Sequence, residues 1–388
     1  MAFLEVERLV QPVASVSAIQ VELLRDWRLA ASRLRGSAHR TTFQDGTWLG
    51  AWYDTFRDAS PLIAVVSETA SGRDLAIVPL IRRVRRGVRL AEFADLGLSD
   101  YNAPILSPTA PADPAAAREM CRALLAALRD LPDGLDLLRM QKMPLDIEGR
   151  LNPLAQLGRI GSCSLNGNLV TIGDDYQSYQ ASIKRMQLPR CWRVFTRNPG
   201  AEFRMVTDIE DALRVLDAMD AQQRERMNKL GFPFVLDDAS HAKFYREIVV
   251  RGLASGFAVV SALGCGEEVV ATALGIRRGE SYSLLRTSYA GSRWANCSPG
   301  LLVVERTMAA LHVQGVRQFD LSIGNYDYKR RFGARPFPLT DVSIALSYRG
   351  IPHMMRHRAA QRLRRYPRLA ARLARVLRKF PSGTRPHP

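Results

Sequence analysis

The chain reads SPGLLVVERTMAALHVQG over residues 298–315 and VRQFDLSIGNYDYKRRFGA over residues 316–334, and these two runs decide the architecture. In the first, Ser298 stands where a helix is capped, Pro299 occupies the first helical position and Gly315 marks the stop, so a well-delimited helix lies between them. In the second, Arg317–Ile323 reads as a strand, Asn325 as the cap of a short helix through Arg331, and Leu339–Ser347 as a last strand. Upstream, three strands crowd together at Phe257–Leu263, Val269–Ile276 and Ser281–Tyr289, divided by the turn segments GCGEE and RRGE. Two helices precede them. One opens on the capping-box pattern Thr207-x-x-Glu210, carries Ile209, Leu213, Leu216 and Met219 at helical spacing and closes at Gly231. The other is capped by Ser240 and runs through Phe244, Ile248 and Val249 to Leu253 and the stop at Gly256. With a short strand at Ala201–Val206, the order is β, α, α, β, β, β, α, β, α, β.

The first half repeats this order more faintly. Strands are expected at Leu62–Val66, Asp74–Ile81 and Val88–Phe93, a long helix at Pro114–Leu131, a strand at Leu135–Met140 and a short helix at Asn152–Leu157. Its LIAVV, GRDLAIVPLIRRVRRG and RLAEF segments parallel the later FAVV, GEEVVATALGIRRG and YSLL, which points to an internal duplication. The expected fold class is α/β, with mixed central sheets flanked by helices. The division is 1–165, 166–347 and a tail at 348–388, with the boundary between the halves inside 157–197.

Charge and cysteine usage narrow the class further. The net charge is +17, and twelve Lys and Arg residues lie beyond Asp341 with no acid after it, so the body carries only +5. The five cysteines, Cys121, Cys163, Cys191, Cys265 and Cys297, form no CxxC or Cys/His cluster and read as reduced thiols of a cytosolic protein. The start MAFLEVERLV places Glu5 and Glu7 where a secretory signal carries basic residues. No apolar run approaches the roughly 18 to 20 residues that span a bilayer. A cytoplasmic protein is expected, peripheral at the inner face of the cytoplasmic membrane if its tail binds there.

The strand, helix and strand order, together with FDLSIGNYDYKRRFGA at 319–334 and the SPG ahead of the long helix, resembles the GNAT acyltransferases. More narrowly, it resembles the CelD/BcsL-like branch linked to cellulose and exopolysaccharide biosynthesis, itself similar to the FemAB aminoacyltransferases. The resemblance implies tandem GNAT-like (acyl-CoA N-acyltransferase) domains, the first degenerate and the second catalytic. It also implies an acetyl-CoA or other acyl-CoA donor, no metal, and an acceptor that is a sugar or polysaccharide precursor of the exopolysaccharide or cell envelope. SRWANCSPG stands where the family carries a glycine-rich RxxGxG or RxxGxA loop, so a FemAB-like aminoacyl-tRNA donor is a second reading. A non-catalytic, membrane-associated scaffold of polysaccharide synthesis is a third.

By the same resemblance, Ser298, Pro299, Gly300 and Leu301 are expected to hold the donor pyrophosphate at a helix start. Lys329 is expected to stabilise the oxyanion and Tyr328 to supply a proton, the plainer reading being a solvated YKRR face. Asp320, an acid in an apolar strand, must be paired or must act as a base or as the orienter of Lys329. Arg286 and Tyr289 at the end of the third strand, Arg226 with Gln223 and Gly231, and Asp100 with Tyr101 and Ser99 are the expected acceptor contacts. His241, His312 and His353 share no metal-ligand spacing.

Residues 353–380 read HMMRHRAAQRLRRYPRLAARLARVLRKF, with Met355, Ala359, Leu363, Tyr366, Ala370, Leu373, Leu377 and Phe380 at helical spacing, arginines on the other face and a break at Pro367. Such helices lie on an anionic membrane surface or pack on the body with a solvated basic face. No groove-reading motif supports specific nucleic-acid binding.

Overall fold

A computed structural model describes residues 18–33, 38–158 and 161–364. Its strands are β1 (Ile19–Leu24), β2 (Ser60–Glu68), β3 (Asp74–Arg85), β4 (Val88–Phe93), β5 (Ile105–Leu106), β6 (Leu137–Pro144), β7 (Asp146–Ile147), β8 (Arg150–Leu151), β9 (Gly161–Thr171), β10 (Ala201–Val206), β11 (Ala258–Cys265), β12 (Glu268–Arg278), β13 (Ser281–Tyr289), β14 (Gln318–Asp320) and β15 (Arg335–Ala345). Its helices are α1 (Trp27–Ala31), α2 (Gly46–Thr55), α3 (Pro114–Arg129), α4 (Tyr176–Ser182), α5 (Leu188–Phe195), α6 (Ile209–Leu230), α7 (Ala239–Gly252), α8 (Pro299–Val313), α9 (Asp327–Arg331) and α10 (Ile351–Arg364).

One mixed sheet carries both halves, in the order β1-β2-β3-β4-β6-β15-β9-β14-β13-β12-β11-β10, with β5 paired to β3 and β7-β8 apart as a small hairpin. The halves mirror each other in connectivity. β2, β3 and β4 are antiparallel neighbours and β4 then pairs in parallel with β6. β11, β12 and β13 are likewise antiparallel, and β13 pairs in parallel with β14. The last strands cross over: β15 from the second half pairs with β6 of the first, while β9, which contains the expected 165/166 boundary, pairs with β14 of the second. β15 and β9 pair with each other at the centre.

The core is shared accordingly. One buried cluster joins Trp48, Trp52, Ile63 and Ile77 of the first half to Phe244, Ile248 and Ile276 of the second. There α2 meets α7, with Trp48 edge-on to Phe244 at 4.8 Å between ring centroids, a geometry worth roughly 0.5–1.5 kcal/mol beyond area burial. A second cluster lies under α3 and a third gathers around α8.

Several local expectations shift. Asp208, not Thr207, caps α6, its carboxylate accepting from Asp211 N at 2.8 Å; Asp238, not Ser240, caps α7, accepting from Ser240 N at 2.9 Å. In both cases the ionised carboxylate nearby wins because it is a stronger acceptor for the free N–H groups than a hydroxyl. Tyr326 rather than Asn325 precedes α9 and makes no side-chain cap. β14 is shorter than expected because Ser322 turns the chain at φ 75, and 152–157 forms only a 3-10 turn at Pro153–Gln156. In the tail, α10 packs against the body: Met354 rests on the cluster of Val88, Leu90 and Leu137, and Gln361 Nε2 donates to Asp341 O at 3.4 Å. The expectations for Tyr366 to Phe380 and the break at Pro367 lie outside the described residues. No helix among the described residues is long and apolar enough to cross a membrane.

Candidate functional site

β13 and β14 stay paired only from Ser281 to Ser283 against Gln318 to Asp320. Beyond Ser283, β13 continues to Tyr289 while β14 has ended, so a gap opens at the carboxyl ends of two parallel strands, where open α/β sheets take ligands. α8 starts beside that gap: a Cβ placed on Gly300 would lie 2.8 Å from Tyr289 Cδ1.

Ser298 does not cap α8 with its side chain, contrary to the expected pattern. It sits in the left-handed region at φ 49, ψ 55, and no side chain accepts from the first turn. Its carbonyl takes the N–H groups of Leu301 and Leu302, each at 3.0 Å. Pro299 is buried and brings no N–H, while Ser298, Gly300 and Leu301 are partly exposed. The helix start thus presents its positive dipole end with no carboxylate of its own in place, and glycine keeps it low. Those features fit a phosphate-bearing group.

A second set of residues clusters at the end of β14. Ser322 is the pivot: its N–H donates to Asp320 Oδ1 at 2.8 Å and its hydroxyl to Asp100 Oδ2 at 2.5 Å. Lys329, 2% exposed, donates from Nζ to the carbonyls of Ser322 and Ile323 at 2.9 and 2.6 Å. The same ammonium lies 5.3 Å from the Tyr326 ring centroid and 6.0 Å from that of Tyr328. The Tyr101 hydroxyl is buried next to Asp320 without a well-formed hydrogen bond. Its ring stacks obliquely on Phe337 at 5.3 Å, and only a glycine at 167 leaves room for both.

The electrostatics follow from burial. Loss of water pushes Asp320 up to about 7, helped by the neighbouring Asp100 charge and opposed by Tyr101 and Lys329. Asp100 is pushed up to about 6 by burial, against the Ser322 hydroxyl and the charges of Lys142 and Lys329. Burial lowers Lys329 to about 8 despite the two acids, and raises the Tyr328 phenol to about 12. Two acids and an amine thus titrate within reach of neutrality, and their protons belong to the cluster as a whole.

The third set lines a cavity of ≈ 320 Å³ that includes Arg226, Arg286, Tyr289, Gln223, Tyr245 and Phe234. A bulge sets Arg286 there: Leu274 pairs with Arg286 but Gly275 with Leu284, leaving Leu285 extra. Leu285 packs toward the α6 and α7 cluster, and Arg286 Nη2 binds Asp220 Oδ1 on α6 at 2.6 Å, so two consecutive side chains share one face. From Arg286 to Tyr289 the pairing with β12 is regular, and both residues line the cavity at the end of β13. Arg226 lies 5.8 Å over the Tyr289 ring, and its charge also draws down the Tyr328 phenol, which links this cavity to the Lys329 cluster.

The expected site residues therefore fall into three adjacent groups: Ser298, Pro299, Gly300 and Leu301 at the helix start, Asp100, Tyr101, Asp320, Tyr328 and Lys329 in the buried cluster, and Arg226, Arg286 and Tyr289 around the cavity. Ser322, Tyr326, Asp220, Tyr245 and Lys142 were not anticipated. Asp220 was findable, since it lies four residues after Leu216 on the apolar face of α6, where a carboxylate demands a partner. Ser322 carried no such signal, because its role depends on a positive φ. His241 Nδ1 lies 3.3 Å from Asp238 and His312 Nε2 2.6 Å from Gly173 O. Among the described residues no group of three or more His, Cys, Asp or Glu gathers to hold a metal.

Residues 182–330 match the family model described as an acetyltransferase (GNAT) domain. That span holds α8, Asp320, Ser322, Tyr328 and Lys329, and every cavity-lining residue except Gly97. Among solved structures, FemX aligns with a TM-score of 0.55 at 10% identity, covering 78% of this chain and 92% of that one. A conserved protein of unknown function from Bacteroides thetaiotaomicron VPI-5482 aligns at 0.50 and 11%, covering 82% and 96%. A tandem GNAT protein from the clavulanic acid biosynthesis pathway aligns at 0.45 and 11%, covering 85% and 99%. No curated protein matches in sequence. The fold is α/β with tandem GNAT-like halves, and the matched acetyltransferase (GNAT) span lies in the second half.

Proposed function

We propose that this chain transfers an acyl group, acetyl in the simplest case, from an acyl-CoA to an amine or hydroxyl of an exopolysaccharide or cell-envelope sugar precursor, within the CelD/BcsL-like branch. The observation that carries the reading is the α8 start, free of any side-chain cap, set beside a buried cluster of Asp320, Asp100 and Lys329. Gly300 and the helix dipole would hold the donor phosphates, and the donor, when bound, supplies a thioester-activated acyl carbon. Asp320, held near neutrality, is the group to accept the proton of the attacking amine or hydroxyl. Lys329 fixes the Ser322 loop with two N–H groups and keeps a third for developing negative charge. Tyr328, with its phenol held high, retains its proton at neutral pH and is the group able to give one.

Isothermal titration with acetyl-CoA tests the donor. Saturable binding by the full chain, lost in Gly300→Glu, is the expected result. Absence of binding to the folded parent sinks the acyl-CoA reading, and turnover with aminoacyl-tRNA in its place replaces it.

A further inference from the structure

Arg286 is 8% exposed and only partly satisfied. Its Nη2 donates to Asp220 Oδ1 and Gln223 Oε1 at 2.6 Å each and its Nε to Gln223 Oε1 at 3.1 Å, yet Nη1 is buried with no hydrogen-bond partner. A guanidinium N–H withdrawn from water and left unpaired costs free energy, so the geometry asks for an acceptor. The cavity lining contains two charged residues, Arg286 and Arg226, and no carboxylate. Asp220, the acid nearest to Arg286, lies outside that lining and is shared with Arg246, 3.1 Å away. Arg226 makes no ion pair among the described residues and stands over Tyr289. The remaining walls combine the uncharged polar residues Gln222, Gln223, Thr287 and Ser288 with aromatic and apolar ones, Tyr289 being 45% exposed.

The cavity therefore offers two arginines for an oxyanion and flat ring faces for the carbon skeleton that bears it. It touches Tyr289, which lies against Gly300 at the helix start, and Arg226, which acts on Tyr328 in the Lys329 cluster. A group seated here thus lies between the two halves of the proposed chemistry.

We infer that the acceptor is an acidic saccharide, carrying a carboxylate or a phosphate, whose oxyanion is bound by the guanidinium groups of Arg286 and Arg226 while the sugar ring lies against Tyr289. The inference rests on the acyltransferase reading only in naming this ligand the acceptor. Arginine suits it because its planar fork matches carboxylate and phosphate oxygens, and because an unpaired buried donor penalises a neutral analogue.

The test uses the full chain without donor. Isothermal titration with glucuronate, glucose 6-phosphate and glucose should show at least one acidic sugar binding more tightly than glucose by roughly tenfold to a hundredfold, the range expected for hydrogen bonds to a charged group. Whichever acid wins tells carboxylate from phosphate. Arg226→Gln, on an exposed position that leaves the Arg286–Asp220 pair intact, should remove most of that preference, and Arg286→Lys should do so too. Equal binding of acidic and neutral sugars, or an unchanged preference in the folded Arg226→Gln protein, overturns the inference. Acetyl-CoA titrated into the same samples separates the two ideas: acid preference without coenzyme binding removes the donor reading alone, and coenzyme binding without acid preference removes this one alone.

Discussion

The two halves share one topology and differ where a ligand would sit. In the first half, α3 follows the antiparallel trio, and its start is closed by Asp113, which accepts from Ala115 N and Ala116 N at 2.9 and 3.0 Å. In the second, α8 begins at a left-handed Ser298 with no side-chain cap. The parallel pairs differ in the same sense. The third register pair of β4 and β6 is Glu92 opposite Arg139, a formed ion pair; the third pair of β13 and β14 is Ser283 opposite Asp320, an acid without a cation in contact. The first half has neutralised itself with its own side chains. The second leaves a helix dipole and a buried acid without such a partner, and that is where the proposed chemistry is placed.

The largest expected effect comes from removing that acid. Asp320→Asn keeps a hydrogen-bond acceptor for Ser322 N but cannot take a proton, so turnover should fall by roughly a hundredfold or more, the range of a general base. Stability should move the other way. Burial lifts the folded-state pKa of Asp320 above its unfolded value, so the stability it contributes is complete below the unfolded carboxyl range and is lost as pH rises toward about 7. Thermal melting should therefore show Asp320→Asn more stable than the parent at pH 8, by on the order of 2 kcal/mol, with little difference at pH 4. In the parent, activity should rise with pH through about 7. A variant of full activity, or one destabilised at pH 8, breaks the contrast with the Glu92–Arg139 pair.

Next in size is the helix start. Gly300→Glu brings a Cβ within 2.8 Å of the Tyr289 ring and a negative charge to the dipole end, so coenzyme A affinity should drop by roughly tenfold to a hundredfold. The control is Lys329→Met, which should lower turnover with little change in coenzyme affinity, because Lys329 binds the Ser322 loop and not α8. Parallel losses of affinity in both would mean that one collapsed site had been measured twice.

Much of this was legible in the chain. The strand Ser281–Tyr289 and the strand Val88–Phe93 lie as expected to the residue, because strict turn signals bound them. The Pro299 start of α8 was equally clear. The strand exchange was not, since which strand a β-strand pairs with is a long-range matter, and β9 reads GSCSLNGNLVT with little apolar alternation. α2, with Trp48 and Trp52 buried, was missed because both tryptophans face a core completed only by α7. At the site, residue types were readable and geometry was not: Asp320 declared itself as an acid among apolar neighbours, whereas the Leu285 bulge and the Ser322 turn, which aim Arg286 and fix Lys329, depend on backbone conformation.

The tail gives a smaller effect that tests the body's dependence on α10. Truncation after Gly350 removes Met354 from the Val88, Leu90 and Leu137 cluster and Gln361 from Asp341, so the melting temperature should fall, by an amount equivalent to about 1–2 kcal/mol. The same protein tests whether 353–380 holds the chain on anionic membranes: vesicle pelleting by the parent should weaken with salt and vanish on truncation. Pelleting that survives truncation removes the tail from that role.

The smallest effect is the one that sharpens the comparison most. If Asp113 merely plugs a degenerate helix start, Asp113→Ala should lower the melting temperature slightly, as the loss of an N-cap does, and leave coenzyme binding and turnover untouched. The carboxylate is held below its ordinary range by the N–H groups of Ala116 and Ala115, so the loss should be visible at pH 7 and shrink as pH falls through the carboxyl range, where the parent also forfeits the charge. A second stoichiometric site for coenzyme A in Asp113→Ala would be more informative. It would mean that the first half keeps a working cradle behind its own carboxylate, and that one side chain on α3 separates the silent half from the active one. A single site with unchanged affinity would instead place the difference in the whole setting of the helix start, including the missing equivalent of Gly300 against Tyr289.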